Sequence, residues 1–101
     1  MKVRYVPQAR EDIRNISDWI AQDSPLAAQR VEHDIRVAAM WLGSHPEVGV
    51  ATDHSNIRRR PIPKMKYAIF YRIDWRTETL NVLRVVHSKQ IRNLKHIPKP
   101  L

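Results

Sequence analysis

Five arginines, two lysines and a histidine in the second half of the chain are the residues whose types and spacing could do chemistry. Arg58, Arg59 and Arg60 stand in a row, Lys64 and Lys66 follow, and Arg72, Arg84 and His87 sit in or at the end of apolar runs. A guanidinium presents a planar fork of donors that grips a phosphate or carboxylate at two points. An imidazole titrates near neutrality and moves protons. Arg72, in the run KYAIFYRI, and Arg84, in the run TLNVLRVVH, are the informative pair. A charge inside an apolar strand is costly unless it is paired or reaches an edge. Both therefore point either to the solvent-facing side of a sheet or to a shared concavity. His87 taken alone reads more readily as a satisfied strand-end histidine than as a proton shuttle. The arginines as a group read as a ligand surface.

The charge distribution sharpens that reading. The net charge of the 101 residues is +8. Residues 1–50 hold six Lys or Arg against seven Asp or Glu, whereas residues 51–101 hold twelve against three (Asp53, Asp74 and Glu78). So uneven a field bears on partners and encounter rates rather than on the fold, and it calls for an acidic partner. The absence of cysteine excludes disulfides, thiolate nucleophiles and cysteine metal sites, and is compatible with a reducing compartment. None of the five histidines stands four residues from another, so no helix-borne zinc site is expected. With only Gly43 and Gly49 there is no glycine-rich phosphate loop. No apolar run approaches the ~20 residues of a membrane span, and the first residues lack the long apolar stretch of a signal peptide. No cofactor is implied, and a platform of stacked aromatics for nucleic acid is not evident.

The elements that must position these residues follow from periodicity. Lys2 to Val6 alternates and reads as a short strand ended by Pro7. Ala9, Ile13, Ile16 and Ile20 form one helical stripe over about 8–22, with Glu11 and Asp12 placed in its first turn. Ser24-Pro25 restarts a second helix with the stripe Ala27, Val31, Ile35, Ala38 and Leu42, and Gly43 is its expected stop. So short a linker makes an antiparallel hairpin with arms of roughly 22 to 28 Å at 1.5 Å per residue. Trp19 and Trp41 are expected between the helices, and Tyr67, Phe70 and Tyr71 in the sheet core. Residues 44–56 read as a loop, Ile57 to Ile62 as a short edge strand, and 66–73 and 79–87 as interior strands joined by the polar turn 74–78. The tail from Ser88 starts helical and, with Pro98 and Pro100, finishes extended. The expected fold is a single α+β domain of two layers, β-α-α-β-β-β, with the α-hairpin on a small antiparallel sheet.

In the order KVRYVPQAREDI, DSPLAAQRV, HPEVG, IRRRPIP, YAIFYRID and VLRVVHSKQ, residues 2–92 resemble toxins of the RelE/ParE superfamily. The resemblance implies the toxin half of a bacterial type II toxin–antitoxin pair, acting in the cytoplasm and associated with plasmid stabilisation. An acidic, ParD-like antitoxin would neutralise it, with Ile13, Ile16, Trp19, Ile20, Arg60 and Arg72 as the expected contacts. The long helical hairpin and the phrase HPEVG…RRRPI…YAIFYRI…RVVH are similar to the ParE branch, whose members are not nucleases but poison DNA gyrase. On that reading no residue is catalytic, and Arg58, Arg60, Arg72, Arg84, His87, Arg92 and Lys95 are the expected target contacts. The alternative is a RelE-like endonuclease that cuts mRNA on the ribosome. There Arg72 and Arg84 would stabilise the transition state, and His87 or Lys66 would move protons. The tail lacks the tyrosine that RelE-like catalysis often uses. The turn Pro63-Lys64-Met65 departs from the pattern, where such toxins commonly carry Gly-Arg. A member that only binds antitoxin is a third possibility.

Overall fold

A computed structural model describes residues 1–93. Strand β1 (Lys2–Tyr5) leads into helices α1 (Pro7–Ala21) and α2 (Pro25–Ser44). Then come β2 (Val50–Ala51), β3 (Ile57–Pro61), β4 (Tyr67–Asp74), β5 (Thr79–His87) and a 3-10 helix over Ser88–Asn93. The strands make one sheet in the order β1-β5-β4-β3-β2, with the helices packed on it. The α+β two-layer architecture is as expected, but the sheet is mixed. β1 runs parallel to β5, Lys2 opposite Thr79 and Tyr5 opposite Val82, and every other pairing is antiparallel. A parallel neighbour requires a long crossover, which here is the α-hairpin and the rest of the sheet.

Each helix is set by its first residues. Pro7 occupies the first turn of α1, where its missing N–H costs nothing. Because α1 begins there, Glu11 and Asp12 lie a turn further in than expected, and no acid occupies the first turn. Ala9 and Ile13 are buried and Ile16 packs partly against the core. Ser24 caps α2, its Oγ accepting the Ala27 N–H at 3.1 Å. Ile35 and Leu42 of the expected stripe have no exposed surface at all.

Gly43 is not the stop. The helix runs through it to Ser44, and its φ is not left-handed. Its role is close approach: a Cβ there would lie 2.8 Å from the Met1 carbonyl oxygen and 3.0 Å from Val3 Cγ2. The missing side chain lets β1 lie against α2, and the Met1 amino group donates to the Gly43 carbonyl at 2.8 Å.

Three more expectations change. The segment expected as a loop contains β2, which pairs with Arg58 and Arg59, so the first half of β3 is not an edge. Between Phe70 and Tyr71 the β4–β5 register slips, and Leu83 is the extra residue of a bulge. Trp19 and Trp41 do not fill the space between the helices but stand 70% and 42% exposed. The helices and sheet approach through small residues instead, with Ala9, Ala28 and Ala39 buried, and no indole fits there. Phe70 and Tyr71 take the expected core positions, with Tyr67 partly buried at the end of β4.

Candidate interaction surface

Strand alternation divides the basic residues between two faces of the sheet. Ile69 and Tyr71 face the helices, and the register places Arg60 opposite Ile69 and Arg58 opposite Tyr71. Arg58 and Arg60 therefore sit on the helix side. Arg59 is opposite Phe70, which is opposite Arg84, and Arg72 lies between Ile57 and Asn81. Arg59, Arg72 and Arg84 thus belong to the other face. The four arginines expected as one surface do not form one.

Each has a distinct environment. Arg58 donates through Nη1 to the carbonyls of Gly49, at 2.8 Å, and Glu47, at 3.2 Å. The Tyr71 hydroxyl, buried beside it, donates to the Pro46 carbonyl at 2.7 Å and accepts the Gly49 N–H at 2.9 Å. Together they fasten the segment His45–Gly49 to the sheet. Gly49 is obligatory there, because a Cβ would fall 2.5 Å from the Tyr71 oxygen. Arg60 lies over the Trp41 ring at 5.2 Å, and His45 stacks on the same indole at 4.1 Å.

Arg84 is held by Asp12. Its Nε donates to Asp12 Oδ2 at 2.7 Å and its Nη2 to Oδ1 at 3.1 Å. β1 accompanies β5 only as far as Val82, so the backbone beyond is a strand edge facing α1. Asp12 seals that edge by accepting the Val85 N–H at 2.9 Å, and Gln8 donates to it at 3.2 Å. His87 stands opposite Tyr67, the two rings edge to face at 5.5 Å, and His87 Nδ1 accepts the Lys89 N–H at 3.1 Å. Lys66 is exposed immediately before β4. A cleft of about 450 Å³ between α1 and the end of β5 brings Arg84, His87 and Tyr67 together with Ile16 and Trp19. Arg72 is not among its lining residues. It stands five residues along β4 from Tyr67, a run of roughly 17 Å at 3.4 Å per residue.

Of the expected antitoxin contacts, Ile13 is 1% exposed and belongs to the chain's own core, so its side chain offers a partner no surface. Ile16 and Ile20 are partly exposed and Trp19 is open. The Arg92 side chain and Lys95 lie outside the described residues. Among the described residues no group of three His, Asp or Glu is arranged to hold a metal ion. No helix among them is long and apolar enough to cross a membrane. Sequence reasoning placed Arg59 in the cationic row but not among the named contacts, and it gave Asp12 and Tyr67 only structural roles. A single acid at an inward helix position, beside Ile13, was the available signal for Asp12.

Burial pushes the Tyr71 phenol above its ordinary value of 10.0, against the lowering effects of the Gly49 hydrogen bond and the Arg58 and Arg60 charges. Burial likewise raises Tyr5, opposed by Arg36 over its ring at 5.1 Å. A raised acid favours the protonated folded state. This stabilisation is complete below about pH 10 and is lost as the pH climbs through the folded value. Thermal unfolding should shift to lower temperature between about pH 9 and about pH 11, and less so in Tyr71→Phe. Equal shifts in the two proteins would exclude Tyr71 as a source.

The order in which the chain supplies these parts is diagnostic. The family model described as "ParE toxin of type II toxin-antitoxin system, parDE" matches residues 3–92. The chain belongs to the ParE toxin family. The match runs from the second residue of β1 to the penultimate residue of the 3-10 helix and so takes in every strand and both helices. Among solved structures, this ParE-family chain is similar to one described as a chromosomal ParDE toxin–antitoxin system from P. aeruginosa. The TM-score is 0.74 at 17% identity, covering 86% of this chain and 95% of that one. It is also similar to one in the RelBE2 toxin–antitoxin complex from Mycobacterium tuberculosis. There the TM-score is 0.65 at 24% identity, with coverage of 85% and 95%. These likenesses show the shared fold. No curated protein matches. The protein is a ParE-type toxin of a type II toxin–antitoxin system.

Proposed function

We propose that this toxin acts in the cytoplasm by inhibiting DNA gyrase and is held inactive by a cognate acidic antitoxin. The observation that carries the choice against nuclease chemistry is the placement of the expected catalytic set. Transition-state stabilisation needs donors aimed at one point. Arg84 is instead gripped on two nitrogens by Asp12, and Arg72 stands roughly 17 Å along β4 from the Tyr67–His87 pair. Charge without a converging site suits binding to a macromolecule. Arg59, Arg72 and Arg84 are partly exposed on the face turned from the helices, and we assign target contact to them with the basic residues Arg92 and Lys95. Trp19 and Ile20 on α1 are assigned to the antitoxin.

The second reading, a ribosome-dependent mRNA endonuclease, has one observation in its favour. Tyr67 supplies beside His87 the tyrosine that the tail lacks, and both line a cleft with Arg84.

Two assays on the purified toxin separate these readings: supercoiling by gyrase, and cleavage of mRNA on programmed ribosomes. Gyrase inhibition that persists in His87→Ala, without mRNA cleavage, is the expected result. Cleavage abolished by His87→Ala, with gyrase unaffected, overturns the proposal.

A further inference from the structure

The register of the sheet lines up cations that the sequence keeps far apart. Arg4 on β1 stands opposite Asn81 on β5, and Asn81 stands opposite Arg72 on β4. Residues directly opposite one another in a ladder point to the same face, so Arg4 shares with Arg72 the face turned from the helices. Lys2, two residues before Arg4 and opposite Thr79, belongs there too. Arg59, opposite Phe70, completes the group on β3. At about 4.8 Å between strands and about 3.4 Å per residue along them, the four cations span roughly 14 Å in each direction.

Two features set this group apart. Among the described residues, none of the four side chains forms a hydrogen bond or ion pair. On the helix side, by contrast, Arg58 is held by carbonyls, Arg60 by an indole and Arg36 by Glu32. Strand parity puts one acid on the face, Asp74, and its Oδ1 is engaged by the Arg76 and Thr77 N–H groups at 3.0 and 3.4 Å. Like charges within about a Debye length repel, and a polyanion relieves them.

What lies between the cations selects the polyanion. Ile57, Ala68, Phe70 and Val86, the apolar strand residues of this face, are buried. Its exposed large apolar groups stand at the margins, Val50 on β2 and Trp75 in the turn beyond β4. A protein partner binds through an apolar centre ringed by polar groups, and here the centre is charge. Single-stranded RNA needs exposed aromatics on which bases stack, and no strand of this face offers one. The phosphates of a duplex need cations alone, and roughly 14 Å of duplex axis carries about eight of them. Five strands make a sheet roughly 19 Å wide, too broad to enter a major groove of about 12 Å. Asn81, the amide at the centre of the row, is buried and reaches no base. The face therefore suits the backbones and reads no sequence.

We infer that the face carrying Lys2, Arg4, Arg59 and Arg72 binds the sugar–phosphate backbone of duplex DNA, independently of sequence. That gyrase holds this duplex rests on the functional reading above; the affinity of the face for it does not.

The probe is a fluorescein-labelled DNA duplex of about 20 base pairs, titrated with the full-length chain and followed by anisotropy. Four phosphate contacts predict that log K falls against log salt with a slope of about −3.6. Arg4→Gln combined with Arg72→Gln is expected to weaken binding about tenfold or more near about 0.1 M salt, and to bring the slope to about −1.8. Arg14→Gln combined with Arg30→Gln removes the same charge from exposed positions on the helices, and should stay within about threefold of the parent. A duplex of unrelated sequence should bind within about twofold. Circular dichroism melts establish that both double variants fold. Four results overturn the inference: no binding at about 50 mM salt, equal losses in the two double variants, an unchanged slope in the first of them, or tighter binding of a single-stranded RNA of the same length. Gyrase inhibition is scored separately. A chain that binds the duplex but leaves gyrase unaffected defeats the functional reading alone. One that inhibits gyrase without binding the duplex defeats this inference alone.

Discussion

Asp12→Ala is expected to destabilise the fold by about 3–5 kcal/mol, the range for removing one member of a buried ion pair. Asp12 is 8% exposed and receives four donors: Arg84 Nε and Nη2, the Val85 N–H and Gln8 Nε2. Alanine takes the carboxylate from all of them, leaving the Val85 N–H buried without this acceptor and Arg84 without its counterion. In a domain of this size each kcal/mol moves the melting temperature by roughly 4–8 °C, so the variant should melt at least roughly 12 °C lower. Asp12→Asn keeps an acceptor of the same shape and should lose about half as much. Urea unfolding of the two variants measures both. A loss below about 1 kcal/mol in Asp12→Ala would show that the pair contributes no more than a surface ion pair.

The second large effect is at the loop latch. Tyr71→Phe removes one oxygen and leaves the Pro46 carbonyl and the Gly49 N–H without their partner, at a cost of about 2–3 kcal/mol. Gly49→Ala attacks the same place from the other side. Its methyl would stand 2.5 Å from the Tyr71 oxygen and 2.8 Å from Cε1, and the ring is fully buried and cannot swing away. The two changes break one device, so their effects should not add. The double variant is expected to be little worse than the worse single one. Full additivity in a double-mutant cycle would mean that the loop and the ring do not act together.

These two devices mark the boundary of what could be read from the chain alone. The helical stripes were legible because Ile13, Ile35 and Leu42 recur at a helix's period and are buried for that reason. Strand β5 was legible to the residue, because a nine-residue run of β-formers ends at His87. β2 was not: two exposed residues, Val50 and Ala51, carry no pattern, and partners across the sheet create them as a strand. Nor did residue type reveal that Arg84 is spoken for. Its counterion lies 72 positions away, on a helix whose register against the sheet only packing decides. The arginines were expected to share a surface because they share a sign. The period-two alternation of a strand puts Arg58 and Arg60 on one side and Arg59 on the other. The two tryptophans failed for a related reason, since their bulk suits a core but the approach of the elements had room only for alanine.

The pairing of β1 with β5 also sets a timetable. Tyr5 leaves the ribosome long before Val82, the residue it will lie against. At typical elongation of about 5–20 residues per second the interval is roughly 4–15 seconds. From about the middle of that interval, once Ser44 has been added, the α-hairpin is complete while the strand that covers it has not been made. The contacts joining the two ends of the fold are among its most distant in sequence, and they form only once translation is nearly finished. The basic sheet is therefore incomplete for most of the time that the chain takes to be made. A partner already waiting at the ribosome meets the helical hairpin before the basic sheet exists.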